Sequence, residues 1–143
     1  MLEPPSGTIA HAAIAVQWTR GLAFEVGRQG GPHASVDGDG CTAPTPFDML
    51  LGAIATCASV DVLTILEKQR TPVKALAIRI DAQRLDATPR RLASAVLHFS
   101  ISAPGSTHAK ASRAVELAVS KYCSVRSSLI ADAQVTWTVE LTA

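Results

Sequence analysis

The amino-acid sequence predicts an α+β fold in which antiparallel sheets pack against helices. Two changes in hydrophobic period support this class. Apolar residues recur at helical spacing between residues 45 and 70, whereas the segments before and after it alternate apolar and polar side chains as strands do. The predicted order is strands, one long helix, strands, a second helix and a final strand. The length of 143 residues fits one domain, residues 1–143.

The long helix has the clearest start and end signals. Thr45 is suited to cap it, Pro46 takes the first helical position, and Asp48 lies three residues after the cap. Pro72 follows its predicted end. Because this helix is apolar nearly all round, we expect it to be buried at the centre of the fold, with Cys57 in its middle. A partner subunit could supply part of its cover.

The other elements follow from alternating patterns and from Gly- and Pro-rich breaks. The second helix is expected to be capped by Ser106 or Thr107 and to end near Cys123. The predicted strands are residues 9–18, 22–26, 33–36, 76–83, 92–103 and 134–141, and a short further helix is predicted at 124–131.

Composition excludes several classes of partner. The net charge is +1, and the few aromatic residues do not interleave with a basic patch, so neither nucleic acid nor an anionic membrane is expected. No apolar run is expected to reach membrane-spanning length. The first residues lack a basic segment followed by an apolar one, so we expect no secretory signal and a cytoplasmic protein. The 48% share of hydrophobic residues favours a globular chain and, weakly, an oligomer.

The three cysteines are the main candidates for chemistry. An odd number without a CxxC pair does not favour structural disulfides. Buried Cys57 is either a small apolar side chain or a reactive thiol. Cys123 lies close to Arg126, whose guanidinium would favour the reactive thiolate. Cys41 lies in a Gly- and Asp-rich loop and reads as an incidental surface thiol.

Other catalytic and cofactor motifs are missing from the sequence. The four histidines are scattered, without the short spacing of tetrahedral zinc sites, so a metal site is not favoured. No Walker loop, GxGxxG or GxSxG motif occurs. The histidines are His11, His33, His98 and His108.

Two segments, PTPFDMLLGAIATCASVDVLTIL and KYCSVRSSL, resemble the OsmC/Ohr family of organic-hydroperoxide-reducing proteins. The resemblance covers nearly the whole chain. It includes the order of elements, Pro46 at the start of the central helix and Cys57 eleven residues later. It also includes Cys123 at the end of the later helix. The run from Ser59 to Val62 is more similar to the OsmC-like branch than to the Ohr branch.

The resemblance implies an assembly and a reaction. It implies an intertwined homodimer, with the two central helices packed together and the active sites at the subunit interface. Cys57 matches the peroxidatic cysteine and Cys123 the resolving cysteine. The substrate would be an organic hydroperoxide and the reductant an external dithiol, with no metal, haem or flavin.

The resemblance also implies an activating arginine. The Ohr branch carries one in its N-terminal hairpin, held by a glutamate in the first turn of the helix. Arg20 lies in the corresponding turn, and an exposed turn arginine is an equal interpretation. Arg126 is the alternative activator. Asp48 is the acidic candidate, although capping the helix would also explain it.

The sequence therefore favours a thiol-dependent peroxidase. An apolar pocket around Cys57 would favour alkyl or lipid hydroperoxides, because burial of an apolar substituent contributes favourable binding free energy. The alternative is a non-catalytic OsmC-like dimer that binds a small apolar ligand or a partner. A third possibility is a structural dimer with inert cysteines.

Overall fold

The structure, a computed structural model, describes residues 11–142 and has the predicted α+β class. It divides into two compact units, with the boundary between Met49 and Leu50. The first turn of the long helix belongs to the N-terminal unit, and the rest of that helix belongs to the C-terminal unit. That the chain acts as one domain stays a prediction.

The N-terminal unit contains a three-stranded antiparallel sheet. Its strands β1 (Ala15–Arg20), β2 (Ala23–Gly27) and β3 (His33–Asp37) are hydrogen-bonded in sequence order. The strand predicted at 9–18 starts later, at Ala15. Its first two residues lie outside the described part of the chain, and residues 11–14 have no regular structure.

A buried carboxylate organises the loop after β3. The Asp37 oxygens accept hydrogen bonds from the backbone N–H groups of Asp39, Cys41 and Thr42 and from the Thr42 hydroxyl, at 3.0–3.2 Å. These bonds, above all that from the Thr42 N–H, lower the pKa of Asp37. The loop is thereby fixed around an ionised carboxylate, with Cys41 exposed on its outside.

The N-terminal unit also has an apolar cavity of about 360 Å³. Apolar side chains from all three strands and from the first turn of the long helix line it. They are Val16, Phe24, Val26, Val36, Pro46 and Met49.

The long helix, α1, spans Pro46–Lys68 and begins where the sequence predicts. The backbone N–H of Thr45 donates to Asp48 Oδ2 at 3.0 Å, and the N–H of Asp48 donates to Thr45 Oγ1 at 3.1 Å. This reciprocal pair is a capping box, and it satisfies two N–H groups that the helix itself leaves free. The bonds from Thr45 lower the pKa of Asp48.

One face of α1 is buried within the described chain, and the cover that a partner subunit could supply to the rest stays a prediction. Val60 and Leu63, on the opposite face, are 62% and 42% exposed. The prediction that no segment reaches membrane-spanning length is wrong, because α1 is long and apolar enough by length and composition, with Asp48, Asp61 and Glu67 its acidic residues. Core helices of soluble proteins often share that property. The buried residues of α1 are Ile54, Ala55, Ala58, Val62 and Leu66.

The C-terminal unit contains the second sheet. Strands β4 (Ala75–Arg84) and β5 (Leu92–Ser102) form the predicted antiparallel hairpin, and β6 (Gln134–Thr142) pairs with β5. The β5–β6 pair is parallel, so this sheet is mixed and not purely antiparallel. The connection from β5 to β6 contains helices and is long enough for the crossover that a parallel pair requires.

That connection holds α2 (His108–Leu117), a π-helical turn (Ala118–Tyr122) and α3 (Ser124–Ser127). The Thr107 side chain caps α2 by accepting from the N–H of Lys110 at 3.2 Å. The short helix predicted at 124–131 ends at Ser127. Apolar side chains of the second sheet and of this connection form much of the buried core, among them Leu97, Phe99, Ile101, Ala111, Ala114, Val115, Ala118 and Val119.

Candidate active site

Cys57 and Cys123 lie next to each other in the C-terminal unit. Cys57 is in the middle of α1 and half-buried, whereas Cys123 lies between the π-helical turn and α3 and is 2% exposed. The two thiols are close enough that each shifts the pKa of the other. Both are free thiols. The structure therefore brings together two sulfur atoms that are 66 positions apart in the sequence (123 minus 57).

Cys123 is held in place by two further bonds. Its sulfur accepts a hydrogen bond from the backbone N–H of Arg126 at 3.3 Å, so the thiol caps α3. Its S–H group also lies 3.8 Å from the carbonyl oxygen of Ile54, one turn before Cys57 on α1. The Cys123 thiol therefore donates to the Ile54 carbonyl. These contacts attach the start of α3 to the middle of α1.

Cys57 has surroundings that favour its thiolate. The backbone N–H of Val125 lowers the pKa of Cys57 most, and the Ser124 hydroxyl, the Cys123 thiol and the Ser124 N–H lower it further against the opposing effect of burial. The Cys57 sulfur lies 3.8 Å from Ser124 Oγ. Hydrogen bonds to a charged form stabilise that form, so more of Cys57 is ionised at neutral pH than of an ordinary cysteine.

Cys123 has the opposite environment. Burial raises the pKa of Cys123, and the neighbouring Cys57 raises it further, although the Arg126 N–H acts in the other direction. Ionisation of one thiol raises the free energy needed to ionise an adjacent thiol, so one of the two loses its proton at a lower pH than the other. The opposite pKa shifts make Cys57 the thiol of the pair that ionises first, while Cys123 stays protonated.

The candidate activating groups occupy different places. Arg126 contacts the pair through its backbone, and its guanidinium is not among the groups that lower the pKa of Cys57. Arg20 is the exposed last residue of β1, in the N-terminal unit. Asp48 has its side chain engaged in the capping box. The activating roles expected of these three side chains stay predictions.

No contact of Cys41 or of a histidine with the cysteine pair is seen among residues 11–142. Cys41 is exposed, with its sulfur 3.8 Å from the carbonyl oxygen of Asp39 in the loop after β3. Across residues 11–142, no group of three or more His, Cys, Asp or Glu side chains is placed to hold a metal ion. His98 instead bridges the outer face of the second sheet, with Asp81 on one side and Thr138 on the other.

Two parts of the site had no sequence signal of their own. The hydroxyl of Ser124 and the N–H of Val125 act on Cys57 only because the fold places the start of α3 against the middle of α1. The one available hint was that Ser124 directly follows a cysteine at a helix start.

Comparison with known proteins identifies the family of the chain. The family model described as OsmC-like protein matches residues 37–140. Protein YhfA of Escherichia coli K12 is 33% identical over 129 residues, which cover 90% of this chain and 96% of YhfA.

Two solved structures have the same fold. An OsmC-like protein from Mycoplasma pneumoniae superposes with a TM-score of 0.78 at 16% identity, over 92% of this chain and 96% of the other. An organic hydroperoxide resistance protein OsmC from Legionella pneumophila superposes with a TM-score of 0.64 at 12% identity, over 92% and 98%. At such identities the likeness establishes the fold alone. Together with the family match, it shows that this chain belongs to the OsmC family.

Proposed function

We propose that the protein is a thiol-dependent peroxidase that reduces organic hydroperoxides to alcohols. The observation that carries this proposal is the adjacent pair of Cys57 and Cys123, tied to the same two elements and with pKa shifts in opposite directions. A two-cysteine peroxidase needs one thiolate and one neighbouring thiol that can reach it. Membership of the OsmC family, in which a structural neighbour is named an organic hydroperoxide resistance protein, supports the choice of substrate.

The reaction follows from the chemistry of the two sulfurs. The Cys57 thiolate attacks one peroxide oxygen, a sulfur–oxygen bond forms and the oxygen–oxygen bond breaks. Cys57 becomes a sulfenic acid, and the leaving alkoxide takes a proton from solvent to become the alcohol. The Cys123 thiol then condenses with the sulfenic acid, which releases water and forms a disulfide. An external dithiol reduces this disulfide by exchange and is itself oxidised to a disulfide.

The proposed catalytic unit is a homodimer. Val60 and Leu63 present an exposed apolar face of α1, and a side chain added at Gly52 would meet open space. Small residues on a helix let another backbone approach closely, and an exposed apolar face gains from being covered. We propose that the same helix of a second copy covers this face.

A peroxide-consumption assay tests the proposed function. With a dithiol as reductant, we expect cumene hydroperoxide to be consumed faster than hydrogen peroxide, because an apolar substituent gains from burial beside the half-buried Cys57 and hydrogen peroxide has no such substituent. The rate should rise with pH as Cys57 ionises and level off below the pH range of an ordinary thiol, because its pKa is lowered.

The Cys41→Ser variant is the matched control, since Cys41 is an exposed thiol outside the pair. It should keep the wild-type rate and pH profile. Absence of dithiol-dependent consumption of any organic hydroperoxide would contradict the proposed function. It would favour a family member that binds an apolar ligand without catalysis.

A further inference from the structure

Ser124 is a residue outside the cysteine pair whose side chain contacts the Cys57 sulfur. Its Oγ is 3.8 Å from the sulfur of Cys57, and the residue is exposed. Cys123, its neighbour in sequence, is buried. Ser124 is therefore a solvent-exposed neighbour of the sulfur that ionises first.

The direction of this hydrogen bond follows from the ionisation of Cys57. A neutral thiol and a hydroxyl can each donate to the other, but a thiolate can only accept. Once Cys57 is ionised, the Ser124 O–H is the donor. A bond to an ionised group is stronger than one between neutral groups, so it favours the thiolate over the thiol.

We propose that Ser124 is a further catalytic residue, whose hydroxyl donates a hydrogen bond to the Cys57 thiolate and so supplies part of the activation expected of an arginine. The catalytic role of Ser124 rests on the proposed function, whereas its hydrogen bond to the thiolate does not. The titratable group in contact with Cys57 from a neighbouring element is Cys123, and it stays protonated while Cys57 is ionised. The hydroxyl, by contrast, carries no charge at any pH near neutrality.

The size of the effect is limited by two opposing terms. Loss of the hydroxyl lowers the fraction of thiolate at neutral pH. The thiolate that remains is more basic and therefore more nucleophilic, which offsets roughly half of that loss on a logarithmic scale. We therefore expect a neutral-pH reaction rate about two- to fourfold lower without the hydroxyl.

The test follows alkylation of Cys57 by iodoacetamide as a function of pH, with the modified cysteine identified by peptide mass spectrometry. In a Cys41→Ser background, Ser124→Ala should react about two- to fourfold more slowly at neutral pH. Its pH profile should move upward, and its high-pH plateau should not fall. Ser124→Thr keeps the hydroxyl and should restore the wild-type profile.

Ser127→Ala is the matched control. Ser127 lies on the same short helix and is exposed, and its hydroxyl makes no hydrogen bond to either cysteine within the described residues. It should leave the profile unchanged. A Ser124→Ala profile identical to that of Ser127→Ala, or a uniform loss of rate at all pH values, would overturn the role of Ser124.

The outcome is separable from the proposed function because no peroxide enters the alkylation experiment. If the wild-type protein consumes no hydroperoxide, the proposed function fails, and the alkylation profile still decides whether Ser124 stabilises the thiolate. If the profile is unmoved while hydroperoxide is consumed, the proposed function stands and the inference about Ser124 fails.

Discussion

Replacing Cys57 with serine should abolish the reduction of organic hydroperoxides. A serine hydroxyl is almost wholly protonated at neutral pH and does not pass through a sulfenic acid, so both the nucleophile and the oxidisable atom are lost. Removal of the nucleophile from an enzyme with a covalent intermediate typically costs about a thousandfold or more. The measurement is the initial rate of cumene hydroperoxide consumption with saturating dithiol.

The control for this substitution is structural. Serine is slightly smaller than cysteine and Cys57 is half-buried, so circular dichroism and the melting temperature should change little. Cys41→Ser removes one thiol and should keep full activity. A Cys57→Ser protein with unchanged turnover would show that another group reduces the peroxide.

Replacing Cys123 with serine should separate the first turnover from the later ones. Oxidation of Cys57 needs only its thiolate, so one equivalent of hydroperoxide should still be consumed, and a sulfenic acid should then persist on Cys57. Steady-state turnover should fall by about tenfold or more. A neighbouring thiol has an effective concentration far above that of millimolar dithiol in solution, and only the dithiol is left to reduce the sulfenic acid.

Trapping with dimedone, followed by peptide mass spectrometry, measures this intermediate. The adduct should form on Cys57 in the Cys123→Ser variant and be scarce in the wild type, where Cys123 removes the sulfenic acid first. Steady-state rates that match the wild type, without a trapped adduct, would exclude Cys123 as the resolving residue.

Local signals in the sequence predicted local structure well. The start of α1 is confirmed because Thr45 and Asp48 satisfy each other's backbone N–H groups within a single turn. The β4–β5 hairpin is confirmed because alternation of polar and apolar side chains marks a strand with one buried face. The parallel direction of β6 was missed, since alternation is the same in either direction and only the path of the connection decides it.

The site was predictable only in part. Each cysteine alone reads as a small buried apolar residue, and the pairing came from a resemblance that covers both segments. The hydrogen-bond donors around Cys57 depend on how α3 packs against α1. The sequence does not show where backbone N–H groups point. The exposed face of α1, with Val60 and Leu63, was read as buried because hydrophobicity does not say whether the cover comes from the same chain.

The most direct test of this account is to oxidise the reduced wild-type protein with one equivalent of cumene hydroperoxide and map its disulfides by mass spectrometry without reduction. The account predicts a linkage between Cys57 and Cys123, loss of both free thiols and a Cys41 that remains free. A protein that keeps both thiols, or that accumulates sulfinic acid on Cys57 without any link to Cys123, would contradict it.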